Sequence, residues 1–218
     1  MSALPSLSQE AKVSLATKLP YYSQWESFDL AQAIIEGMAT PADDPCWASS
    51  GALDQKEYIQ WANHICGMAC LKMILAAIKG EEIPTMDLTR MAVRYGAYVL
   101  SKDGIKGMIY APFVTLIREQ FALESRIEAG KTSQDIAKLL KEGAYFIASV
   151  HPSIRWPERK PPSKGGHLVL VTAADQENIC FHNPSGHTQE TRENVTLSCQ
   201  DFDRFFAGRG VLILGQEA

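Results

Sequence analysis

The chain has 218 residues, 46% of them hydrophobic, and 21 Lys and Arg against 25 Asp and Glu give a net charge of −4. That length suits one compact domain (1–218) with a substantial core, and the acidic balance lacks the clustered basic face that a nucleic-acid partner requires. No window approaches the roughly 20 apolar residues of a membrane span, and the opening MSALPSLSQEAKVSLATKLP has no signal-type apolar stretch, so a cytoplasmic protein with no membrane partner is expected.

Residues 1–18 are polar and mixed, a short helix or a loose arm. LPYYSQW (Leu19–Trp25) reads as extended and aromatic. FDLAQAIIEGM (Phe28–Met38) has apolar residues at helical spacing and ends at Gly37. Ala39–Gln55 is rich in Pro, Asp, Ser and Gly and reads as loop; Asp43, Asp44 and Trp47 within it are solvated by default, or shape substrate access. KEYIQWANHI forms a helical turn leading into Cys66. From Cys66 to Ile78 the sequence is apolar nearly all round and Gly80 stops it, which predicts a buried central helix. Three further helices are expected over Thr85–Tyr95, Tyr110–Phe121 and Thr132–Lys141, the last with a Thr or Ser N-cap and Gly143 as terminator.

The texture then changes. AYFIASV (Ala144–Val150), HLVLVTAAD (His167–Asp175) and NICFHNP (Asn178–Pro184) read as strands, QDFDRFF (Gln200–Phe206) as a short helix, and GVLILG (Gly210–Gly215) as a closing strand. The densest basic stretch, IRWPERKPPSK (Ile154–Lys164), carries prolines and reads as a solvated loop. Helices first and antiparallel strands second give an α+β fold, a helical half packed on an antiparallel sheet.

Five cysteines (Cys46, Cys66, Cys70, Cys180 and Cys199) are odd in number and irregular in spacing, which argues against a disulfide framework and fits a reducing compartment. Cys66, Cys70 and His64 lie near one another in sequence, but no second ligand pair follows at zinc spacing, so no metal and no cofactor is expected. Cys66 has two readings. Free cysteine packs readily in cores. A thiol at a helix start is also where a thiolate, and so a nucleophile, is stabilised.

His167 and Asn183 tip the balance. Their midpoint is residue 175, where the polar turn Asp175–Asn178 lies, and residues placed symmetrically about a turn face each other across an antiparallel pair, within a register slip. An imidazole oriented by an amide is what a thiol nucleophile needs as its base. Gly165 and Gly166 leave open space beside it. The backbone N–H of Cys66 is one oxyanion donor; Gln60 and Gln24 are the candidates for a side-chain second, and spacing alone leaves both open. Cys70 and Cys180 are expected to pack, His182 to face away from Asn183 as a structural residue, and His151, at a strand end, to pack or to line a cleft.

CGMACLKMIL, GGHLVLVTA and FHNPSG, in that order, resemble the Cys, His and Asp/Asn blocks of the papain-like cysteine peptidases. Among these the chain is most similar to the group like peptidase family thirty-nine, kin of the bacteriocin-processing peptidases. Met68 stands where that group commonly has Pro, Met73 fits its later methionine, and FFAGRGVLIL resembles its closing segment. The resemblance implies a papain-like fold with Cys66 as nucleophile, His167 as general base and acid, and Asn183, where the group more often has Asp, as the orienting residue. LPYYSQW matches the group's glutamine-bearing lead-in, which favours Gln24 over Gln60 as oxyanion donor and makes residues 28–58 an insertion before the catalytic helix. The expected function is hydrolysis of a peptide or isopeptide bond in a peptide or protein substrate through a thioester. The alternatives are transfer of the same acyl group to an amine, and a silent peptide-binding module.

Overall fold

The computed structural model describes residues 13–14, 19–141 and 144–215. The expectations for the rest of residues 1–18 and for Gly143 lie outside the described residues.

In chain order the elements are β1 (Val13–Ser14), α1 (Ala31–Ile35), α2 (Gln55–Trp61), α3 (Cys66–Lys79), α4 (Thr85–Tyr95), β2 (Leu100–Ser101), β3 (Gly104–Ile105), α5 (Tyr110–Phe121), β4 (Ser125–Ala129), α6 (Ser133–Lys141), β5 (Ala144–Val150), β6 (His167–Ala174), β7 (Asn178–His182), α7 (Gln189–Arg192), β8 (Val195–Ser198), α8 (Cys199–Phe205) and β9 (Phe206–Leu214). The main sheet runs β4-β9-β5-β6-β7-β8, antiparallel throughout, with β1 paired to β6. β2 and β3 form a separate hairpin.

Period-two alternation decides the two faces of the sheet. Ile147 of β5, Leu168 and Leu170 of β6, and Val211 and Ile213 of β9 join a core with α3, α4 and α5. Their neighbours Phe146, Ala148, Val169, Val171 and Leu212 join a second core with α6 and α8. Burial on both sides is why these strands are continuous apolar runs in the sequence. The helix-first, sheet-second α+β architecture is as expected. α3 is the buried central helix, every residue from Gly67 to Leu75 being buried, and Gly80 ends it at φ +66°.

The sequence reading needs several corrections. The helix expected over Phe28–Met38 is shorter: a 3-10 turn at Phe28–Leu30 leads into α1. Ala39–Gln55 is not featureless loop. It holds 3-10 turns at Pro41–Asp43 and Trp47–Ser50. Asp44 is buried, not solvated and not at the cleft. It accepts hydrogen bonds from Ser27 N (3.1 Å), Ser27 Oγ (2.6 Å), Cys46 N (2.9 Å) and Tyr58 Oη. Burial pushes its carboxyl up, and these donors more than offset that, leaving its pKa below the ordinary value. Trp25, Ala31, Tyr58 and Ala62 form a small core of their own, against which Trp47 packs.

Candidate active site

The chain bends by 101° between α2 and α3. The bend brings the first residue of α3, Cys66, to the wall of a cleft of about 630 Å³ that Gln24, Ser149, Arg155, His167 and Arg209 also line. Gly67 lets the start of α3 approach the start of β6: a Cβ there would lie 2.9 Å from Leu168 Cδ1 and 2.7 Å from Met108 Sδ. The backbone N–H groups of Leu168, Gly67 and Cys66 itself lie near the sulfur and favour its charged form. Opposite, Gly165 and Gly166 take positive φ (+83° and +97°), a turn that glycine makes without strain, and deliver the chain into β6 at His167.

His167 is 5% exposed and Asn183 1%. Their side chains meet at 2.8 Å, His167 Nε2 to Asn183 Oδ1. The same Oδ1 accepts from the backbone N–H of Ser185 at 3.1 Å. A backbone N–H can only donate, so this contact fixes which end of the amide is oxygen. Oδ1 can only accept, so Nε2 must carry the imidazole hydrogen. Nδ1 is then the bare nitrogen, the one able to take a proton. Ser185 Oγ completes the set, 3.0 Å from His167 Nε2 and 3.3 Å from Asn183 Oδ1. Arg155 donates to Ser185 through Nη2 to Oγ (2.6 Å) and Nε to the carbonyl (2.7 Å).

The symmetric placement of His167 and Asn183 about residue 175 needs one amendment. The ladder pairs Leu170 with His182 and, after a bulge, Ala173 with Cys180, so its register centres past residue 175, at about residue 176. Continued, that register would set His167 against Ser185. β7 instead ends at His182, and Asn183 N turns away to Arg192 O (2.7 Å). Both Asn183 and Ser185 therefore reach the imidazole.

Gln24 is 4% exposed and lines the cleft. Its Nε2 donates to Ala62 O (3.1 Å), which leaves its second hydrogen, and its N–H donates to Pro184 O (2.9 Å). Tyr21 Oη also donates to Asn183 O (2.9 Å), and Trp25 Nε1 to Asn63 Oδ1 (2.9 Å). The lead-in is thus stitched to both halves of the site. Gln60 is exposed on α2 and does not line the cleft. His182 is buried away from it, its Nε2 donating to Leu19 O and its Nδ1 accepting from Asn194 N. His151 does not line the cleft either; its Nδ1 accepts from Ser153 N at the 3-10 turn Pro152–Arg155. Cys70 and Cys180 are buried.

The electrostatics correct one premise of the sequence reading. Burial pushes the Cys66 thiol up, and the three backbone N–H groups and Arg155 do not reverse it. Burial, with the positive charge of Arg155, lowers His167 to about 3 against the upward pull of Asn183. The helix start does not win over desolvation: burial disfavours both the thiolate and the imidazolium.

The Peptidase_C39 like family matches residues 52–210, which include Cys66, His167 and Asn183. The chain belongs to that family. Its fold is the papain-like α+β fold of C39 peptidases. A crystal structure described as a C39-like peptidase from Bacillus anthracis is similar to the C39-like chain with a TM-score of 0.55 and 14% identity, over 96% of this chain and 100% of that one. The peptidase domain of Streptococcus ComA, a bi-functional ABC transporter involved in a quorum sensing pathway, gives 0.48 and 15% over 71% and 93%. UfSP from C. elegans gives 0.49 and 10% over 100% and 36%. No curated protein matches the sequence. Family and fold support a cysteine peptidase-like function at this level.

Sequence reasoning did not single out Arg155 or Ser185. Arg155 sits in the basic stretch read as solvated loop, and Ser185 lies two residues past Asn183 in a block otherwise recognised. Only the ladder register, which the bulge obscures, would have pointed to Ser185.

Proposed function

We propose that this chain is a cysteine peptidase working through Cys66, His167 and Asn183. The observation that carries the reading is the chain of donors just described: Ser185 N–H orients the Asn183 amide, and the amide holds the imidazole with Nδ1 bare. Nδ1 takes the Cys66 proton as the sulfur attacks the substrate carbonyl carbon. The resulting oxyanion is stabilised by the Cys66 backbone N–H, free of an intrahelical partner at the first helical position, and by the second hydrogen of Gln24 Nε2. The carbon–nitrogen bond then breaks, and the proton on Nδ1 passes to the leaving amine. Water attacks the thioester, gives a proton to Nδ1, and releases the acyl group as Cys66 recovers its hydrogen. Peptides and proteins are the substrates assigned to this cleft of about 630 Å³, where an extended chain would lie between the helical and sheet halves.

The test is digestion of a proteome-derived peptide mixture read by mass spectrometry. Wild type should generate new termini, and Cys66→Ala should generate none while keeping the wild-type circular dichroism spectrum. New termini from Cys66→Ala at the wild-type rate would refute the assignment. Adding primary amines separates acyl transfer, which yields amide products, from hydrolysis.

A further inference from the structure

We infer that the cleft selects a peptide bearing a carboxylate on the leaving-amine side of the scissile bond, held by Arg155 and Arg209; the side assignment rests on the peptidase reading above. The chain carries net charge −4, yet none of the residues lining this cleft is an Asp or Glu, and its permanently charged lining residues are Arg155 and Arg209. Neither arginine forms an ion pair among the described residues. Arg155 is half-buried; its Nε and Nη2 are spent on Ser185, and Nη1 makes no hydrogen bond among the described residues. Burial lowers its pKa to about 10. An unneutralised guanidinium at this depth is unfavourable for the fold, and its planar fork matches a carboxylate. Arg209 is exposed on β9 and lies over the Gly165 turn, its Nη2 3.6 Å from where a Cβ on Gly165 would stand.

The side follows from the chemistry. His167 must hand its proton to the departing amine, so that half of the substrate lies against the imidazole. Arg155 lines the cleft and is bonded to Ser185 at the Nε2 edge of the ring, behind Nδ1, and Arg209 flanks the turn that leads into His167, so both stand on the imidazole side of the cleft. Both arginines therefore address the leaving half. The carboxylate has two possible sources: an Asp or Glu side chain, or the free α-carboxylate of a short leaving segment.

Binding tests this without relying on turnover. Full-length Cys66→Ala is offered four pools of randomised N-acetylated hexapeptides, ending in acid or amide, and with or without Asp and Glu. Pools with carboxylates should be retained roughly tenfold over the pool lacking them, the scale of a charge-assisted hydrogen bond, and the gain should shrink in 1 M salt. Adding Arg209→Gln to Cys66→Ala should reduce it several-fold. Gain confined to acid-ended pools assigns the α-carboxylate; gain confined to Asp- and Glu-containing pools assigns a side chain. Equal retention of the four pools, or a preference untouched by Arg209→Gln, overturns the inference. Peptide turnover by wild type is scored separately: cleavage without carboxylate preference defeats this inference alone, whereas selective binding without cleavage defeats only the peptidase reading.

Discussion

Asn183→Ala isolates the orienting role of one amide. The substitution removes an oxygen that accepts from His167 Nε2 at 2.8 Å, Ser185 N at 3.1 Å and Ser185 Oγ at 3.3 Å. The imidazole is not orphaned, because Ser185 Oγ stands 3.0 Å from Nε2. The donors left without an acceptor are the Ser185 N–H and, while the hydroxyl accepts from Nε2, the Ser185 Oγ–H, so the stability loss is that of one to two unsatisfied buried groups, about 1–3 kcal/mol each. Catalysis should suffer as well. A hydroxyl can donate as well as accept, so Ser185 Oγ no longer forces the hydrogen onto Nε2, and the tautomer with Nδ1 protonated cannot act as base. Proton transfer by a positioned base is worth about 10²–10⁴-fold; losing control of the tautomer should forfeit about 10²-fold in kcat/KM, carried by kcat. Ser185→Ala keeps the acceptor-only oxygen and should lose less than about tenfold on the same scale. Asn183→Asp keeps an acceptor too and should stay within that limit. The assay is turnover of a fluorogenic peptide that wild type cleaves, beside urea unfolding of each variant. A folded Asn183→Ala with wild-type kcat/KM, or a Ser185→Ala as damaged as Asn183→Ala, would refute the reasoning.

Because burial raises the Cys66 thiol, alkylation by iodoacetamide should accelerate about tenfold per pH unit up to pH 9, whereas turnover, which uses the neutral pair, should be level between about pH 5 and 8; an alkylation plateau reaching down to pH 4 would mean a preformed thiolate–imidazolium pair. His167, lowered from its unfolded value to about 3, binds its proton more weakly in the folded state. Its contribution to stability is complete above about pH 6.5 and is lost as pH falls toward 3, by up to about 1.4 kcal/mol per unit, so urea midpoints of His167→Gln should decline less over that range than those of wild type. Asp44→Ala strips four donors of their acceptor and should destabilise by about 3 kcal/mol, with unfolding midpoints as the check and an unchanged midpoint as the contrary result.

The elements that the sequence announces are those whose burial is two-sided or all round. α3 and strands β5, β6 and β9 are legible because nearly every residue is apolar. β4 (SRIEA) and β8 (VTLS) are short, polar and at the two sheet edges, where water faces one side and the pattern is too brief to read. Asp44 is illegible for the opposite reason: a turn-rich composition suggests solvent, and only the assembled fold supplies Ser27 and Tyr58 to bury it. In the cleft, Cys66 and His167 are marked by their glycine neighbours. Gln24 could be weighed against Gln60 by resemblance, but its anchoring on Ala62 and Pro184 is a tertiary fact. Arg155 is hidden because a cation beside three prolines carries the signature of a surface loop, and nothing local records that its guanidinium turns inward onto Ser185.

Intact-protein mass spectrometry with a peptidyl acyl probe bears most directly on Cys66 as the nucleophile served by His167. One acyl group should accumulate, digestion should locate it on Cys66, and His167→Ala should form it far more slowly. Acylation on Cys46 or Cys70 instead, or an adduct at Cys66 that forms equally fast without the imidazole, would contradict the account.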